Sequence, residues 1–430
     1  MQRFFYLSIL VFLTNTFAVA QDIQEIALGA GYTKQSFVNL SAGTEATVNN
    51  TAWDLGFTVY GQQDAGVFVN ESAGTSAGVP QAQVELYDAQ TTDFATQPVP
   101  TSLTTRLYNT ETSWAYGAFN EGRVTTNPFD YGWGVYSTAS NQVVGTKVFV
   151  VKLRTGSYVK FQIVSLGANG YTFKYANLDG TNEITKTINK ADFAGKTLAY
   201  FNFATATTVA VEPANGFDLM YCRYSTPYLD PSTGQYVPYT VAGILHARGV
   251  KTAKALNITP ATVAYSTFQD SLKTAPNTIG FDWKAFDGAG WVLDQNRVYF
   301  VKTTTNRVWK LQFIDFEGSS TGKAIVEKTD LGIFTAVENQ SVAGLQTLVY
   351  PNRVSTDFNI ALDATNTTNL QNATISVVDM QGRIVLNQNI AVQNGFQVLN
   401  IAANGFAAGV YNIQLVTENA NVPLGRIVKM

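Results

Sequence analysis

Apolar and polar residues alternate along most of the chain in short runs, and the runs end at glycine, asparagine or aspartate. In Tyr158–Ile163, Lys160 and Gln162 alternate with Phe161 and Ile163, giving one wet and one dry face. A period of two puts successive side chains on opposite faces of a strand, whereas a helix repeats its apolar positions every three or four residues. Only short segments near Asn189–Ala194 and Thr262–Lys273 read as helical. The pattern predicts an all-β chain.

The pattern also recurs. Lys147–Ile163 aligns without gaps on Arg297–Phe313 at an offset of 150, with Val148/Val298, Val151/Val301, Lys152/Lys302, Thr155/Thr305, Lys160/Lys310 and Gln162/Gln312 identical. Trp133 and Trp283 match at the same offset. Each copy reads as strand, tight turn, strand, with Gly156 and Asn306 at equivalent turn positions, two residue types that tolerate positive φ. Upstream, Phe37-Val38-Asn39-Leu40 leads to Trp53-Asp54-Leu55, as Tyr200-Phe201-Asn202-Phe203 leads to Phe217-Asp218-Leu219. Trp53 and Phe217 read as core anchors. Asp54 and Asp218 read as hydrogen-bond acceptors at turns or strand ends. The body is therefore expected to hold two tandem antiparallel β units, residues 21–195 and 196–335. Residues 345–430, strands of four to eight residues separated by turn signals, are expected to form a small immunoglobulin-like β-sandwich.

The ends and the composition narrow the picture. Arg3, an apolar stretch and Ala18-Val19-Ala20 make residues 1–20 a signal peptide with cleavage near Gln21. No later stretch approaches the roughly 20 apolar residues of a membrane span, so none is expected in the mature chain. Lys and Arg total 28 against 31 Asp and Glu, a net charge of −3 with no basic run, which argues against a nucleic-acid partner. One cysteine, Cys222, and one histidine, His246, exclude an internal disulfide, a cysteine-ligated zinc and bis-histidine haem.

Little in the chain looks catalytic. Gly74-Thr75-Ser76-Ala77-Gly78 matches the nucleophile-elbow string, but Pro80 and an alternating run follow where that motif needs a helix. Asp230-Pro231-Ser232-Thr233-Gly234 lacks the acidic spacing of a calcium loop and reads as a turn. No catalytic residue is assigned, and the chain is expected not to be an enzyme. Aromatic residues make up 13% of the sequence, and they crowd two stretches: Trp114, Tyr116, Phe119, Tyr131, Trp133 and Tyr136, then Tyr221, Tyr224, Tyr228, Tyr236 and Tyr239. Those rings either pack beneath long loops or line a binding surface.

Two resemblances give these features a context. Tyr350-Pro351-Asn352, the Asp379-x-x-Gly382-Arg383 turn, Gly409-Val410-Tyr411 and a basic last strand with Lys429 resemble the C-terminal sorting domain of the Bacteroidetes type IX secretion system. Arg353 departs from it, standing where that family usually has a second proline. The resemblance implies the type IX machinery as partner, passage across the outer membrane, and then release or attachment at the cell surface.

The body resembles the HmuY family of haem-acquisition proteins. The matching stretches are Tyr200–Phe203, Trp53–Phe57, Lys147–Lys152 and Gly170–Tyr175, with the glycine-rich Val69–Gly78 after the first Trp-Asp motif. Tyr239–Leu245 and Ile279–Lys284 resemble members that also carry the secretion domain. The resemblance implies ligand capture, with haem or a related tetrapyrrole as first candidate. His246 would be the haem-iron ligand, with Met220 its partner, and Tyr224, Tyr228, Trp114 and Tyr116 would contact the ligand. Met380 and Met430 lie in the sorting domain. The residues by themselves leave His246 as a strand-end histidine, exposed or paired locally, and Met220 as core filler. A surface protein displaying aromatic loops to proteins or glycans is the alternative. Asp270-Ser271-Leu272 also resembles the short O-glycosylation motif of this bacterial group.

Overall fold

A computed structural model describes residues 21–61, 64–76, 78–334, 345–364, 373–380, 382–417 and 421–430. The signal peptide expected at residues 1–20 lies outside them. The chain divides into a body ending at Ile333 and a tail from Phe334. Both are built of antiparallel sheets, save for a short parallel pairing of Arg353–Val354 with Val428–Lys429 in the tail, and the helical segments described are 3-10 turns of three or four residues. The two stretches that read as helical become such turns, Lys190–Phe193 in one case, Tyr265–Thr267 and Gln269–Ser271 in the other.

The recurring hairpins have like surroundings. Phe149 pairs with Phe161 as Tyr299 pairs with Leu311, and both return strands bulge at the same step, between Ile163 and Ser165 and between Phe313 and Asp315. Gly156 at φ 87° and Asn306 at φ 62° close the two turns, donating N–H to Leu153 O (2.9 Å) and Thr303 O (3.0 Å). Lys160 Nζ donates to Phe94 O at 2.7 Å, and Lys310 Nζ to Pro260 O at 2.9 Å. Each lysine thereby ties its return strand to a crossing loop, and Lys160 satisfies a buried carbonyl that would otherwise go unpaired.

The leading strands are exchanged. Lys34–Asn39 lies against Leu219–Leu229 of the second half, while Leu198–Asn202 lies against Leu55–Thr58 of the first. The registers agree: Val38 faces Leu219 and Phe201 faces Leu55. Likewise Gln21–Ala27 borders Lys323–Ile333 as Ile184–Asn189 borders Gly170–Asn177. Two buried aspartates seal the crossing. Asp54 accepts the N–H of Phe203 and Asp218 that of Leu40, each at 2.8 Å. Both therefore act as backbone acceptors, and burial pushes both carboxyls up.

Two cores result. One runs from Leu55 to Phe201 around Trp133, Phe149 and Phe173, and the other joins Ile26–Leu40 to Leu219–Val326 around Trp283, Tyr299 and Phe313. A third cluster drawn from both halves, including Phe37, Trp53, Tyr200, Met220 and Leu245, lies at the seam. Trp53 is buried and Phe217 is half-buried. Most rings of the first aromatic stretch pack inward, with Phe119 and Trp133 fully buried and Tyr131 and Tyr136 against them. The second stretch is a long ribbon. Leu219–Leu229 and Tyr236–His246 pair along eleven residues each, and Tyr228, Tyr236 and Tyr239 are exposed at the far end. Asp230 to Gly234 turns that end, as its sequence predicts.

In the tail, a three-stranded sheet (Leu345–Tyr350, Asp357–Ala364, Gly395–Ala402) and a five-stranded sheet enclose a core of Phe358, Ile375, Ile401, Tyr411 and Ile427. This is the predicted sandwich. Asp379 accepts Arg383 N at 2.9 Å and Arg383 Nε at 2.7 Å, and Gly382 takes φ 81°, so the Asp-x-x-Gly-Arg string is a self-bonded turn. Tyr411 OH donates to Ala407 O at 2.8 Å. Gly409 and Lys429 pair at the sheet margin, and Tyr350 precedes a cis bond to Pro351 and Asn352.

Candidate ligand site at the seam

The seam encloses a cavity of about 70 Å³. Its position follows from Val67–Val69, whose strand ends in the sequence Asn70-Glu71-Ser72. Asn70 Nδ2 donates to Asn50 O (2.7 Å) and Trp53 O (2.8 Å), fixing the chain so that Glu71 lies inside. Asn109 clamps the next loop to the same strand, bonding both Val69 N (3.1 Å) and Val69 O (2.7 Å). Trp114 Nε1 reaches across to His246 O at 2.9 Å. The apolar walls are Trp53, Phe68, Trp114, Tyr200, Met220 and Tyr224.

Polar groups face these rings. Glu71 accepts Asn109 N at 2.9 Å and Ser225 N at 3.3 Å, yet burial outweighs both bonds and the charge of Arg106, pushing its carboxyl up to about 7. Gln35 Oε1 accepts the indole N–H of Trp53 at 3.1 Å. Burial also drives the Cys222 thiol well above its usual range. An outer groove of about 400 Å³, walled by Tyr108, Pro227, Tyr236 and Pro238, shares Asn109, Thr110, Glu111 and Ser225 with the cavity.

The six residues singled out from sequence divide evenly. Met220, Tyr224 and Trp114 line the cavity. Tyr228 stands on the ribbon with its ring 5.3 Å from Tyr239, and Tyr116 lies under the Arg123 guanidinium at 3.7 Å. His246 ends its strand with no exposed surface, its Nδ1 3.1 Å from Ala247 O, and burial holds its pKa below the ordinary value. Of the two positions open to it, exposed or locally paired, it takes the second. It does not line the cavity, so His246 and Met220 do not flank a slot for a flat macrocycle. Among the described residues no group of three or more His, Cys, Asp or Glu could hold a metal ion. Haem ligation by His246 does not fit this arrangement. Glu71 and Ser72 fall within the glycine-rich Val69–Gly78, whereas Gln35 and Asn109 carry no sequence signal.

Comparison with known proteins fits this frame. Residues 31–179 match the family model described as HmuY protein, and residues 348–429 that of the secretion system C-terminal sorting domain. Residues 31–179 thus resemble a HmuY domain, and residues 348–429 a sorting tail. The HmuY match ends before the second half. That family is one of binding proteins, not enzymes. The sorting tail marks the chain for export, to the outer surface or beyond. Among curated proteins none matches. One solved structure, dimeric latent PorU from Porphyromonas gingivalis, aligns at 8% identity and a TM-score of 0.18, covering 95% of this chain and 34% of that one. The chain spans about a third of the PorU chain. Among the described residues no helix is long and apolar enough to cross a membrane.

Proposed function

We propose that the body is a ligand-capture module built from two HmuY-like copies, residues 21–195 and 196–335, that exchange their leading strands. The type IX machinery carries it out of the cell by the tail. The observation behind this reading is the aromatic-walled cavity opening beside a wider groove, at the seam between the halves. Pockets of this kind, apolar with a few placed polar groups, are the usual form of small-molecule sites. A tetrapyrrole is the first candidate from the family match, and at this size only the outer groove could take its ring. Titrating the full exported chain with haemin tests the reading. We expect a saturable Soret shift and tryptophan quenching, weakened by Trp114→Ala and indifferent to His246→Ala. The absence of any saturable change sinks haem capture.

Display to a protein or glycan is the second reading. It is favoured by the exposed ribbon end, where Tyr236 is 72% and Tyr239 55% accessible. A chain that ignores haemin but loses cell-surface adhesion on Tyr236→Ser would support it.

A further inference from the structure

Three polar groups at the seam cavity lack protein partners. Gln35 Nε2, Ser72 Oγ and Arg223 Nε are all buried, with no hydrogen-bond partner among the described residues. All three residues line the cavity. Gln35 is 1% and Ser72 3% exposed. Arg223 spends its other nitrogens on Ala73 O (2.6 Å) and Thr240 O (3.3 Å). Buried donors without acceptors are costly, and a protein retains them where something else supplies the acceptor. Two of these are N–H donors, one belonging to a guanidinium, and the third is a hydroxyl that can donate as well. A group offering acceptor oxygens suits all three.

We propose that the cavity recognises a carboxyl group through Gln35, Ser72 and Arg223, with Glu71 beside it. The carboxyl belongs either to a short free acid or to the arm of a larger flat molecule lying in the outer groove. This rests on the capture reading of the same site. The volume agrees, since about 70 Å³ holds a small head but not a ring system. Two carboxylates cannot share so small a space while both are charged, so the bound head requires the proton on Glu71. Other ionisable groups around Glu71 are Arg106, Glu111, Tyr200, Cys222, Arg223 and Tyr224. Burial pushes the tyrosine and cysteine groups up, which leaves them neutral.

With Glu71 titrating near 7, affinity for a carboxylate should rise about ten-fold as pH falls from about 8 to about 6. The test uses the full chain with butyrate, haemin and haemin dimethyl ester. Binding is read by quenching of tryptophan fluorescence, Trp53 and Trp114 being the tryptophans at the cavity, and by isothermal titration calorimetry at each pH. The proposal expects the acids to bind with the ten-fold pH dependence and the ester to bind at least ten-fold more weakly. Glu71→Gln should flatten the pH dependence. Ser72→Ala, a smaller change, should weaken the acids several-fold and leave the ester unmoved. Binding of butyrate identifies a free acid as ligand, and binding of haemin alone identifies an arm. If haemin and its ester bind equally at every pH, carboxyl recognition is overturned while capture stands. If no probe binds, both fall.

Discussion

The two halves of the body share a frame and differ in what they extend from it. In the first, Leu55 faces Val69 and the pairing stops after three residues. In the second, Leu219 faces His246 and the same pairing continues to Leu229 and Tyr236. Two residues past Val69 stands Glu71, buried at the seam. Two past His246 stands Arg248, ion-paired with Asp64 and lying over the Tyr60 ring at 4.4 Å. Equal backbone thus carries opposite charge and unequal reach. Register, bulge and turn are fixed by packing, so they agree between the halves. Side chains outside the shared rungs are free to differ, and Glu71, Ser72, Arg223 and Tyr224 of the candidate site are among them.

The frame is most severely tested at its two large anchors. Trp133 and Trp283 are 0% and 2% exposed. Replacing either with alanine should cost about 3–5 kcal/mol in urea unfolding, and a large disparity would break the equivalence. A finer substitution separates them. Trp133 Nε1 donates to Ala65 O at 2.8 Å, whereas Trp283 stacks on Phe313 at 4.1 Å and its Nε1 has no partner among the described residues. Phenylalanine should therefore be tolerated better at 283 than at 133, by about 1 kcal/mol.

The buried charges of the two halves should give opposite pH slopes. Burial raises Glu71 to about 7 from 4.5, so the folded state holds the proton more tightly. Its contribution is complete below about 4.5 and lost as pH rises through about 7, a swing on the order of 3 kcal/mol. Lys284 is the reverse case. Burial lowers it to about 7 from 10.5, so its contribution is present above about 10.5 and lost as pH falls toward 7. Its Nζ donates to Ala242 O at 2.6 Å and sits 3.9 Å from the Trp283 ring. Urea midpoints across pH 4 to 10 should lose the acid-side slope in Glu71→Gln and the alkaline-side slope in Lys284→Met. Slopes unchanged by both variants would dismiss the burial argument.

The strand exchange gives a smaller pair of effects. Asp54→Ala strands Phe203 N–H and Asp218→Ala strands Leu40 N–H, each at about 2 kcal/mol. Asparagine should serve better at 218 than at 54. Arg154 lies near Asp54 and favours its charge, whereas Asp218 has only the backbone bond against its burial. Equal losses at both sites in the Asn variants would remove that distinction.

Much of the frame was legible because it is local. Alternation marks Tyr158–Ile163 and its counterpart as strands, residue types that tolerate positive φ mark the turns, and Asp54 and Asp218 read as acceptors from their place at turns or strand ends. The exchange of leading strands was not legible, since pairing Val38 with Leu219 rather than Leu55 leaves the same faces buried and the same residues apolar. The site was half legible. Met220, Tyr224 and Trp114 announced themselves as large side chains in aromatic stretches. Glu71 and Gln35 did not, because a carboxylate after a strand and a glutamine within one are ordinary until a second half closes over them.

The turns supply the smallest and cleanest comparison. Gly156 and Asn306 both lie in the left-handed region, at φ 87° and 62°. A Cβ added at Gly156 would meet nothing within 4 Å, so any cost there is conformational rather than steric crowding. If the two turns are one device, their residues should trade places. Gly156→Asn and Asn306→Gly should each shift stability by only about 0.5 kcal/mol, because asparagine and glycine are the residues that visit this region readily. A β-branched residue cannot, and valine at either position should cost about 1–2 kcal/mol. Paired melts of the four variants decide it. Should valine be harmless at one turn and costly at the other, the two hairpins differ in backbone conformation, and their common register would be a coincidence of pairing rather than a shared design.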